Sequence, residues 1–491
     1  MNIFDIIKKN TKKNPKKIAL ILNERKYSYE EFFKILVNTI KILKQNKISK
    51  NSVVLVIEDN TLSHILSLFA LSYINACIVP ASTYYSFDHL KKLVEVTKVN
   101  SLIANSKYCS LFKSVKTIKK IISTNKVNKF SYFFENSKSK KNLKTQKINT
   151  SKNFIISFSS GSTGNPKPII FSQKTKIKRF LLMKNLYKIN EKDIITLTCP
   201  LDHSLGMRIL FLSFLSGATI VIMNKFIPLN YFEIVKKYSV TLSVLIANQI
   251  YDLQSYKKKF KNFFLKKGLV SASAKLSPVT KNKIIKNNIN LFEMYGASEI
   301  GTVTSINLKK EKKYIKSVGK IYNKLIKIKI LSKGKKFLSA YNSGEIICKT
   351  PGLFKGYLGT KKINKDAFFK NFFRTGDIGY LDKKNFLYFL SRKKNIIRRS
   401  GITIYPEDIE NTLLNDKNIK EAAVISGEGK LSEKIYLFVK KEKKIDQNYI
   451  KNICLNKLST FQIPNEILLI KNIPKSILGK INKNELKKYL V

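Results

Sequence analysis

Short apolar runs alternate with segments of helical periodicity along much of this chain, and no other feature limits its fold as strongly. Val53–Ile57 is a continuous apolar run between polar residues, which is typical of a strand buried on both faces. It lies between Glu30–Lys44 and Leu62–Asn75, in which apolar residues recur at helical spacing. Because helices that alternate with buried strands cover the faces of parallel sheets, the sequence predicts a layered α/β fold.

The pattern changes twice further along the chain. Strand-like runs dominate from Ile326–Leu331 to Leu387–Leu390, which indicates a smaller β-rich subdomain. From Arg392 onward, short strands and helices alternate in a compact α+β pattern. Since 491 residues exceed the usual size of one domain, we expect a large N-terminal domain, residues 1–391, and a small C-terminal domain, residues 392–491.

The formal net charge of +61 comes from 93 Lys and Arg against 32 Asp and Glu. Only seven of the basic residues are Arg, and the 86 Lys occur in every part of the chain, as on a solvated lysine-rich surface. Specific nucleic-acid readers depend on Arg forks and stacking aromatics, and no zinc-finger or RNP-type signature occurs here. We therefore expect no specific nucleic-acid partner, but a weak, salt-sensitive attraction to polyanions and weak peripheral contact with membranes.

The five cysteines are widely spaced and include no C-x-x-C pair, so the sequence predicts neither a disulfide framework nor a thiolate zinc site. The first twenty residues contain six Lys and no continuous apolar segment of the signal-peptide kind. Two apolar stretches, His64–Ala81 and Ile209–Met223, are short and interrupted, which favours a buried helix followed by a strand over a membrane span. We expect a cytoplasmic protein without a transmembrane segment.

A string of small polar residues and glycine directly follows the predicted strand Phe154–Phe158. It comprises Ser159, Ser160, Gly161, Ser162, Thr163, Gly164, Asn165, Pro166 and Lys167. Small residues let backbone amides and hydroxyls approach polyphosphate oxygens closely, and the lysine adds a mobile positive charge. The string is not a Walker A loop, because the closing Gly-Lys-Ser/Thr is missing. A plain turn is the alternative, but the composition of the string and its position after a strand favour a phosphate-binding loop.

Five further motifs follow in the remaining sequence. They are Tyr295-Gly296-Ala297-Ser298-Glu299, Arg374-Thr375-Gly376-Asp377, Ser391-Arg392-Lys393-Lys394 with Gly401, Tyr405-Pro406-Glu407-Asp408-Ile409-Glu410, and Pro474-Lys475-Ser476-Ile477-Leu478-Gly479-Lys480. In this order, and together with the string, they resemble the motifs of the adenylate-forming (AMP-binding) superfamily, which comprises acyl- and aryl-CoA ligases, luciferases and peptide-synthetase adenylation domains. The resemblance covers nearly the whole chain and implies that the small C-terminal domain is mobile.

The resemblance also implies a reaction in which a carboxylate attacks the α-phosphate of ATP, pyrophosphate leaves, and a thiol then attacks the acyl-adenylate. Glu299 is implied as the Mg²⁺ ligand, a hard oxygen donor beside phosphate and water oxygens. Ser298 is implied to donate to the α-phosphate and Tyr295 to offer a ring face to adenine, with Gly296 in the same nucleotide-binding segment. Taken alone, a Tyr-Gly-x-Ser-Glu stretch is more typical of a capped helix N-terminus.

Three more roles follow from the resemblance. Asp377 is implied to accept hydrogen bonds from the ribose hydroxyls, although a bare Thr-Gly-Asp is more often a turn. Arg392 is implied to contact ribose or phosphate, a task that suits a planar fork of several donors. Lys480 is implied to bridge the substrate carboxylate and the α-phosphate. Lys394 matches the hinge about which the C-terminal domain of the family rotates between half-reactions.

The acyl side departs from the family pattern. Ala272-Ser273-Ala274-Lys275-Leu276 stands where the family has a Gly-Gly-Ala-Pro-Leu-like segment. Ser273 is the candidate cofactor-binding residue of this segment. The motif Pro200-Leu201-Asp202-His203-Ser204-Leu205-Gly206 resembles the family's substrate-side motif, in which His203 lies near the carboxylate. An ordinary surface or core histidine is the alternative. In an amino-acid-activating relative, Asp202 would pair with the substrate ammonium group.

We expect an enzyme, an AMP-forming acid–thiol ligase of the acyl-CoA synthetase type. It would use ATP, Mg²⁺ and coenzyme A on a small-molecule carboxylic acid, in fatty acid metabolism. An amino-acid or acyl ligase that loads a phosphopantetheine carrier protein in trans is the first alternative. A non-catalytic, nucleic-acid-associated protein on a degenerate ligase scaffold is the second, although Glu299, Asp377, Arg392 and Lys480 are all present.

Overall fold

Helices and strands alternate through most of the chain. The computed structural model describes residues 1–135, 143, 147–158, 167–359, 361–399, 401–429, 433–442, 445–475 and 480–490. The α-helices are α1 (Ile3–Lys13), α2 (Tyr29–Gln45), α3 (Leu62–Ile74), α4 (Phe87–Thr97), α5 (Ser106–Phe112), α6 (Gln173–Leu186), α7 (Ser204–Ser216), α8 (Pro228–Lys237), α9 (Ala247–Ser255), α10 (Lys257–Lys261), α11 (Pro278–Lys286), α12 (Lys361–Asp366), α13 (Pro406–Leu414), α14 (Gln447–Lys457) and α15 (Lys483–Leu486). The strands are β1 (Ile18–Leu22), β2 (Arg25–Ser28), β3 (Val53–Ile57), β4 (Cys77–Ala81), β5 (Ser101–Ala104), β6 (Lys120–Ser123), β7 (Ser131–Tyr132), β8 (Asn153–Phe158), β9 (Pro168–Ser172), β10 (Ile194–Leu197), β11 (Thr219–Ile222), β12 (Leu242–Ile246), β13 (Gly268–Ala272), β14 (Leu291–Ala297), β15 (Gly301–Asn307), β16 (Lys320–Ile321), β17 (Lys327–Leu331), β18 (Gly344–Lys349), β19 (Gly356–Tyr357), β20 (Phe368–Phe369), β21 (Phe372–Leu381), β22 (Leu387–Arg392), β23 (Ile397–Arg399), β24 (Ile402–Ile404), β25 (Ala422–Gly427), β26 (Lys434–Lys440) and β27 (Glu466–Ile470).

Two large, mostly parallel sheets form the N-terminal part of the protein. One has the strand order β16-β15-β14-β13-β12-β10-β11-β1-β2 and the other β19-β9-β8-β4-β3-β5-β6-β7. Antiparallel pairs lie toward the sheet edges, for example β14 with β15 and β8 with β9. One apolar core contains residues of both sheets together with most of α3 and α7. The layered α/β architecture is confirmed.

Local sequence explains the bounds of these elements. β3 has the predicted bounds, and α2 extends the predicted helix Glu30–Lys44 by one residue at each end. A capping box starts α2: Ser28 Oγ accepts from the Glu31 amide at 3.1 Å, and Glu31 Oε2 accepts from the Ser28 amide at 2.7 Å. The two apolar stretches form α3 with β4 and α7 with β11. Along the described ranges, no helix combines the length and apolarity that crossing a membrane requires.

The remaining strands form smaller sheets. β17, β18, β21 and β20 build the β-rich subdomain, with β22 beside β21. Beyond it lie the hairpin β23-β24 and the sheet β25-β26-β27. Both pack with α13 and α14 around one apolar core, and the sheet also packs with α15 around a second. The predicted boundary between residues 391 and 392 falls at the end of β22 and stays a prediction.

Candidate active site

Asp377 is the centre of a group of three side chains, joined by one hydrogen bond and one ion pair. The Tyr295 hydroxyl donates to Asp377 Oδ2 at 2.6 Å, and Arg392 Nε lies 3.0 Å from Asp377 Oδ1. β14 supplies Tyr295, and the pairing of β21 with β22 places Asp377 directly opposite Arg392. Because a carboxylate oxygen has two lone pairs, Asp377 retains acceptor capacity for further donors such as ribose hydroxyls.

Burial and charge in this group keep Tyr295 protonated, and a backbone hydrogen bond orients Arg392. Burial raises the pKa of Asp377, and Arg392, the Tyr295 hydroxyl and Lys480 oppose that rise. Burial and the charge of Asp377 raise the pKa of Tyr295 well above its usual value, so the phenol stays a donor. Arg392 Nη1 donates to the Thr375 carbonyl at 2.9 Å, yet the side chain is 42% exposed. The guanidinium is therefore fixed by the protein and still accessible to a ligand.

Glu299 is held by a tyrosine that sequence reasoning missed. The Tyr357 hydroxyl donates to Glu299 Oε1 at 2.7 Å, and burial with the Glu299 charge raises the pKa of Tyr357. Lys167 Nζ lies 5.5 Å from the centre of the Tyr357 ring, so the end of the Ser/Gly-rich string approaches Glu299. The pairing of β19 with β9 brings Tyr357 there, opposite Ile169. The other predicted phosphate contacts lie outside the described residues: Ser159, Ser160, Gly161, Ser162, Thr163 and Gly164.

The Tyr295–Glu299 stretch is the end of a strand and a turn, so the alternative of a helix N-terminus is wrong. β14 runs to Ala297 and returns as β15 from Gly301. A side chain at Gly296 would place its Cβ 2.0 Å from the Gly301 carbonyl oxygen, which only glycine avoids. This close approach sets Ser298 and Glu299, both half-buried, in the turn next to Tyr295.

Lys480 lies within electrostatic range of this group. Burial and the charge of Arg392 lower the pKa of Lys480, whereas Asp377 and Glu299 raise it. The residue as a whole is exposed to solvent. Lys394 is exposed in the short turn Lys393–Asn395 between β22 and β23, and its role as a hinge stays a prediction.

The substrate-side residues lie at the ends of other elements. His203 directly precedes α7, and its Nε2 is 3.8 Å from Oδ2 of the buried Asp202. Ser273 follows β13, the parallel neighbour of β14, so it lies at the same end of the sheet as Tyr295. Its φ of +73° is a backbone conformation that favours glycine, and the family pattern has a glycine at this position.

Three cationic residues that sequence reasoning did not assign to the site lie beside it, two of them buried and one partly buried. Lys176 and Arg179, each 4% exposed, come from α6, and the partly buried Arg208 comes from α7. Arg179 Nη2 donates to the Glu299 carbonyl at 2.7 Å, and Arg208 Nη1 donates to Thr302 Oγ1 at 3.0 Å. The sequence contained one signal for these residues: Arg is rare in this chain, and Arg179 and Arg208 are two of only seven.

The donor set fits Mg²⁺ bound mainly by substrate and water. Across the described residues, no three His, Cys, Asp or Glu side chains are grouped so that they could hold a metal ion. Mg²⁺ keeps several waters and needs only one or two protein carboxylates beside phosphate oxygens. The half-buried Glu299, oriented by Tyr357, is such a carboxylate.

Comparison with known proteins agrees with this geometry. Residues 7–358 match the sequence profile of the AMP-binding enzymes. This chain belongs to that family. The 2-succinylbenzoate–CoA ligase of Listeria monocytogenes is 27% identical over 342 residues, which cover 68% of this chain and 69% of that protein. The 2-succinylbenzoate–CoA ligase of Bacillus licheniformis is 22% identical over 483 residues, 98% of each chain.

Solved structures share the fold over the whole length. The O-succinylbenzoate coenzyme A synthetase of Bacillus subtilis, in complex with ATP and magnesium, superposes with a TM-score of 0.88 at 20% identity, covering 98% of this chain and 99% of that one. The amide bond synthetase McbA of Marinactinospora thermotolerans reaches a TM-score of 0.88 at 16% identity and covers 100% of both chains.

The comparisons decide several expectations. Among the relatives, an acid–thiol ligase activity with ATP, Mg²⁺ and coenzyme A recurs, which confirms the predicted class of AMP-forming enzyme. The alternative of a non-catalytic protein finds no support among them. The expected setting in fatty acid metabolism does not fit, because these relatives are named for an aromatic acid.

Proposed function

We propose that this enzyme joins an aromatic carboxylic acid of the 2-succinylbenzoate type to coenzyme A through an acyl-AMP. The observation that carries the proposal is the placement of Lys480, from the C-terminal part, within electrostatic range of Asp377 and Glu299. Two anions must meet in adenylation, so the reacting centre needs fixed cations and donors. The class of acid rests on the relatives named 2-succinylbenzoate–CoA ligases.

The nucleotide would be held by the Asp377 group and the Ser/Gly-rich string. Asp377 accepts from the ribose hydroxyls, the Tyr295 ring lies against adenine beside Gly296 and Ser273, and Arg392 reaches ribose or phosphate oxygens. The string from Ser159 to Gly164, with Lys167, cradles the phosphates. Glu299 binds Mg²⁺, which neutralises phosphate charge when bound.

Lys480 would act where the carboxylate attacks the α-phosphate. Its ammonium group reduces the repulsion between the two anions, and Ser298 donates to the same phosphate. His203 would border the carboxylate. Rotation about Lys394 then withdraws Lys480 and gives the thiol access to the acyl-adenylate, a gating motion between two arrangements of the domains.

The acceptor distinguishes coenzyme A from the alternative of a carrier protein in trans. Coenzyme A alone should support acid-dependent AMP release under our proposal. Failure with coenzyme A beside activity with a phosphopantetheine carrier would favour the alternative. The amide bond synthetase shares this fold at full coverage, so the fold alone does not identify the acceptor.

The deciding experiment is ATP–pyrophosphate exchange across a panel of acids. The panel contains 2-succinylbenzoate, benzoate, a short and a long fatty acid, and two amino acids. We expect exchange with 2-succinylbenzoate at a kcat/KM above that of every other member. Preferential exchange with a fatty acid or an amino acid would contradict the proposed acid.

A cytoplasmic location is part of the proposal. It rests on five cysteines that are all buried and unpaired, as a reducing compartment permits. Contact with a carrier protein or with membrane surfaces stays a prediction.

A further inference from the structure

Lys176, Arg179 and Arg208, here called the cation cluster, have no task in the proposed nucleotide chemistry. Every Asp and Glu of the chain lies within the described residues, yet none forms an ion pair with these three side chains. Among the carboxylates, only that of Glu299 has an electrostatic effect on Arg179, and the two groups lie beyond ion-pair distance. Burying positive charge without a paired anion is costly, so such a cluster indicates a ligand that supplies the anion.

Unused donors belong to side chains that line one cavity. Arg179 Nη1, Arg208 Nε and Ser204 Oγ are buried and have no hydrogen-bond acceptor among the described residues. Arg179, Arg208, Ser204 and Lys176 line this cavity together with Phe180 and Phe211. Lys176 Nζ lies 3.9 Å from the centre of the Phe171 ring, a cation–π contact that offsets only part of its desolvation.

The backbone is shaped to admit Arg179. A side chain at Gly352 would place its Cβ 2.9 Å from Arg179 Cγ, and one at Gly301 would lie 3.3 Å from Arg179 Nε. Arg179 Nε also donates to the Gly352 carbonyl at 2.7 Å. Because Arg179 is bonded to the carbonyl of Glu299 as well, the cluster is tied to the segment that carries the proposed Mg²⁺ ligand.

We propose that the cation cluster binds a second carboxylate of the acid substrate, so that the enzyme selects dicarboxylic acids. This inference rests on the proposed function and adds a residue-level basis for its substrate class. Arginine forks bind carboxylates in a bidentate manner, and a site built for such a group rejects analogues that lack it. The cavity now measures about 10 Å³, the space of roughly one water. A carboxylate would fit only after the side chains of Lys176 and Arg208 had moved apart.

The first test compares one diacid with its two monoacid analogues. 2-Succinylbenzoate carries two carboxylates, 4-oxo-4-phenylbutanoate lacks the one on the ring, and 2-butanoylbenzoate lacks the one on the side chain. A hydrogen bond to a charged group contributes about 1.5–3 kcal/mol, so kcat/KM for pyrophosphate exchange should favour the diacid by roughly 10- to 150-fold. Equal kcat/KM for the diacid and a monoacid would overturn the inference and leave the ligase activity standing. Exchange with none of the three acids would overturn the proposed function and this inference with it.

The second test changes the cluster. In Lys176→Met, the ratio of diacid to monoacid kcat/KM should fall at least tenfold, while the Tm stays level or rises because an unpaired buried charge is gone. Lys178→Met on the exposed face of α6 is the matched control and should retain the ratio. Arg208→Gln should lower the ratio as well, which keeps the inference testable if the first variant folds poorly. An unchanged ratio in the folded variants would overturn the inference.

Discussion

Replacing Tyr357 by Phe removes one hydroxyl from the candidate active site and no other atom. That hydroxyl donates to Glu299 Oε1 at 2.7 Å, and it is the contact that orients the proposed Mg²⁺ ligand. A hydrogen bond to a charged acceptor contributes about 1.5–3 kcal/mol. Since about 1.4 kcal/mol is a factor of ten, losing the orientation should weaken Mg²⁺ binding roughly 10- to 150-fold.

The assay is the Mg²⁺ dependence of pyrophosphate exchange at constant ATP. The half-saturating Mg²⁺ concentration should rise at least tenfold in Tyr357→Phe, with a smaller change in the rate at saturating Mg²⁺. Tyr29→Phe is the control, because the buried Tyr29 hydroxyl contacts none of the candidate site residues in a hydrogen bond and instead donates to the Ala218 carbonyl at a similar 2.8 Å. It should cost about 1 kcal/mol of stability and leave the Mg²⁺ dependence unchanged. The reasoning is refuted if Tyr357→Phe needs no more Mg²⁺ than the parent, or if both variants shift alike.

Two further predictions concern the C-terminal part. Lys480→Ala should abolish adenylation but spare thioester formation from supplied acyl-adenylate, with the exposed Lys488→Ala as control; equal loss of both half-reactions would contradict the proposed domain rotation. Burial raises the pKa of Glu407 from 4.5 to about 7. Between these two pH values, the Glu407 carboxyl is therefore largely protonated in the folded protein and ionised in the unfolded chain. Stability should therefore fall as pH rises from about 5 to 7, Glu407→Gln should flatten that decline in Tm, and exposed Glu428→Gln should not. An equally steep decline in Glu407→Gln would show that another group causes it.

Much of the fold was predictable because its signals are local. The apolar run of β3 and the helical spacing of α2 each lie within one element, and their predicted bounds agree with the structure to within a residue. The turn at Ser298 was harder, because a helix N-terminus and a hairpin turn favour the same small polar residues. The contact between Gly296 and the Gly301 carbonyl, which decides between them, involves the partner strand.

The site was predictable only in part. Asp377, Tyr295 and Arg392 were assigned through ordered motifs, and the structure brings these three together. Tyr357 and the cation cluster were missed. Tyr357 follows a glycine and Lys176 is one of 86 lysines, so neither has a distinguishing sequence pattern. The sequence also does not reveal that Arg179 is buried or that it has no paired carboxylate.

The sequence by itself determined much of the order of helices and strands, and the resemblance of its ordered motifs to a known family indicated the class of enzyme and the segments that would meet a nucleotide. These properties depend on residue type and on neighbours a few positions away. Only the tertiary structure decided which side chains share a hydrogen bond: Tyr357 lies 58 positions from Glu299, and Tyr295 lies 82 from Asp377. Such contacts exist because sheet pairing and helix packing bring distant segments within 3 Å, and burial then sets the charge that each group carries.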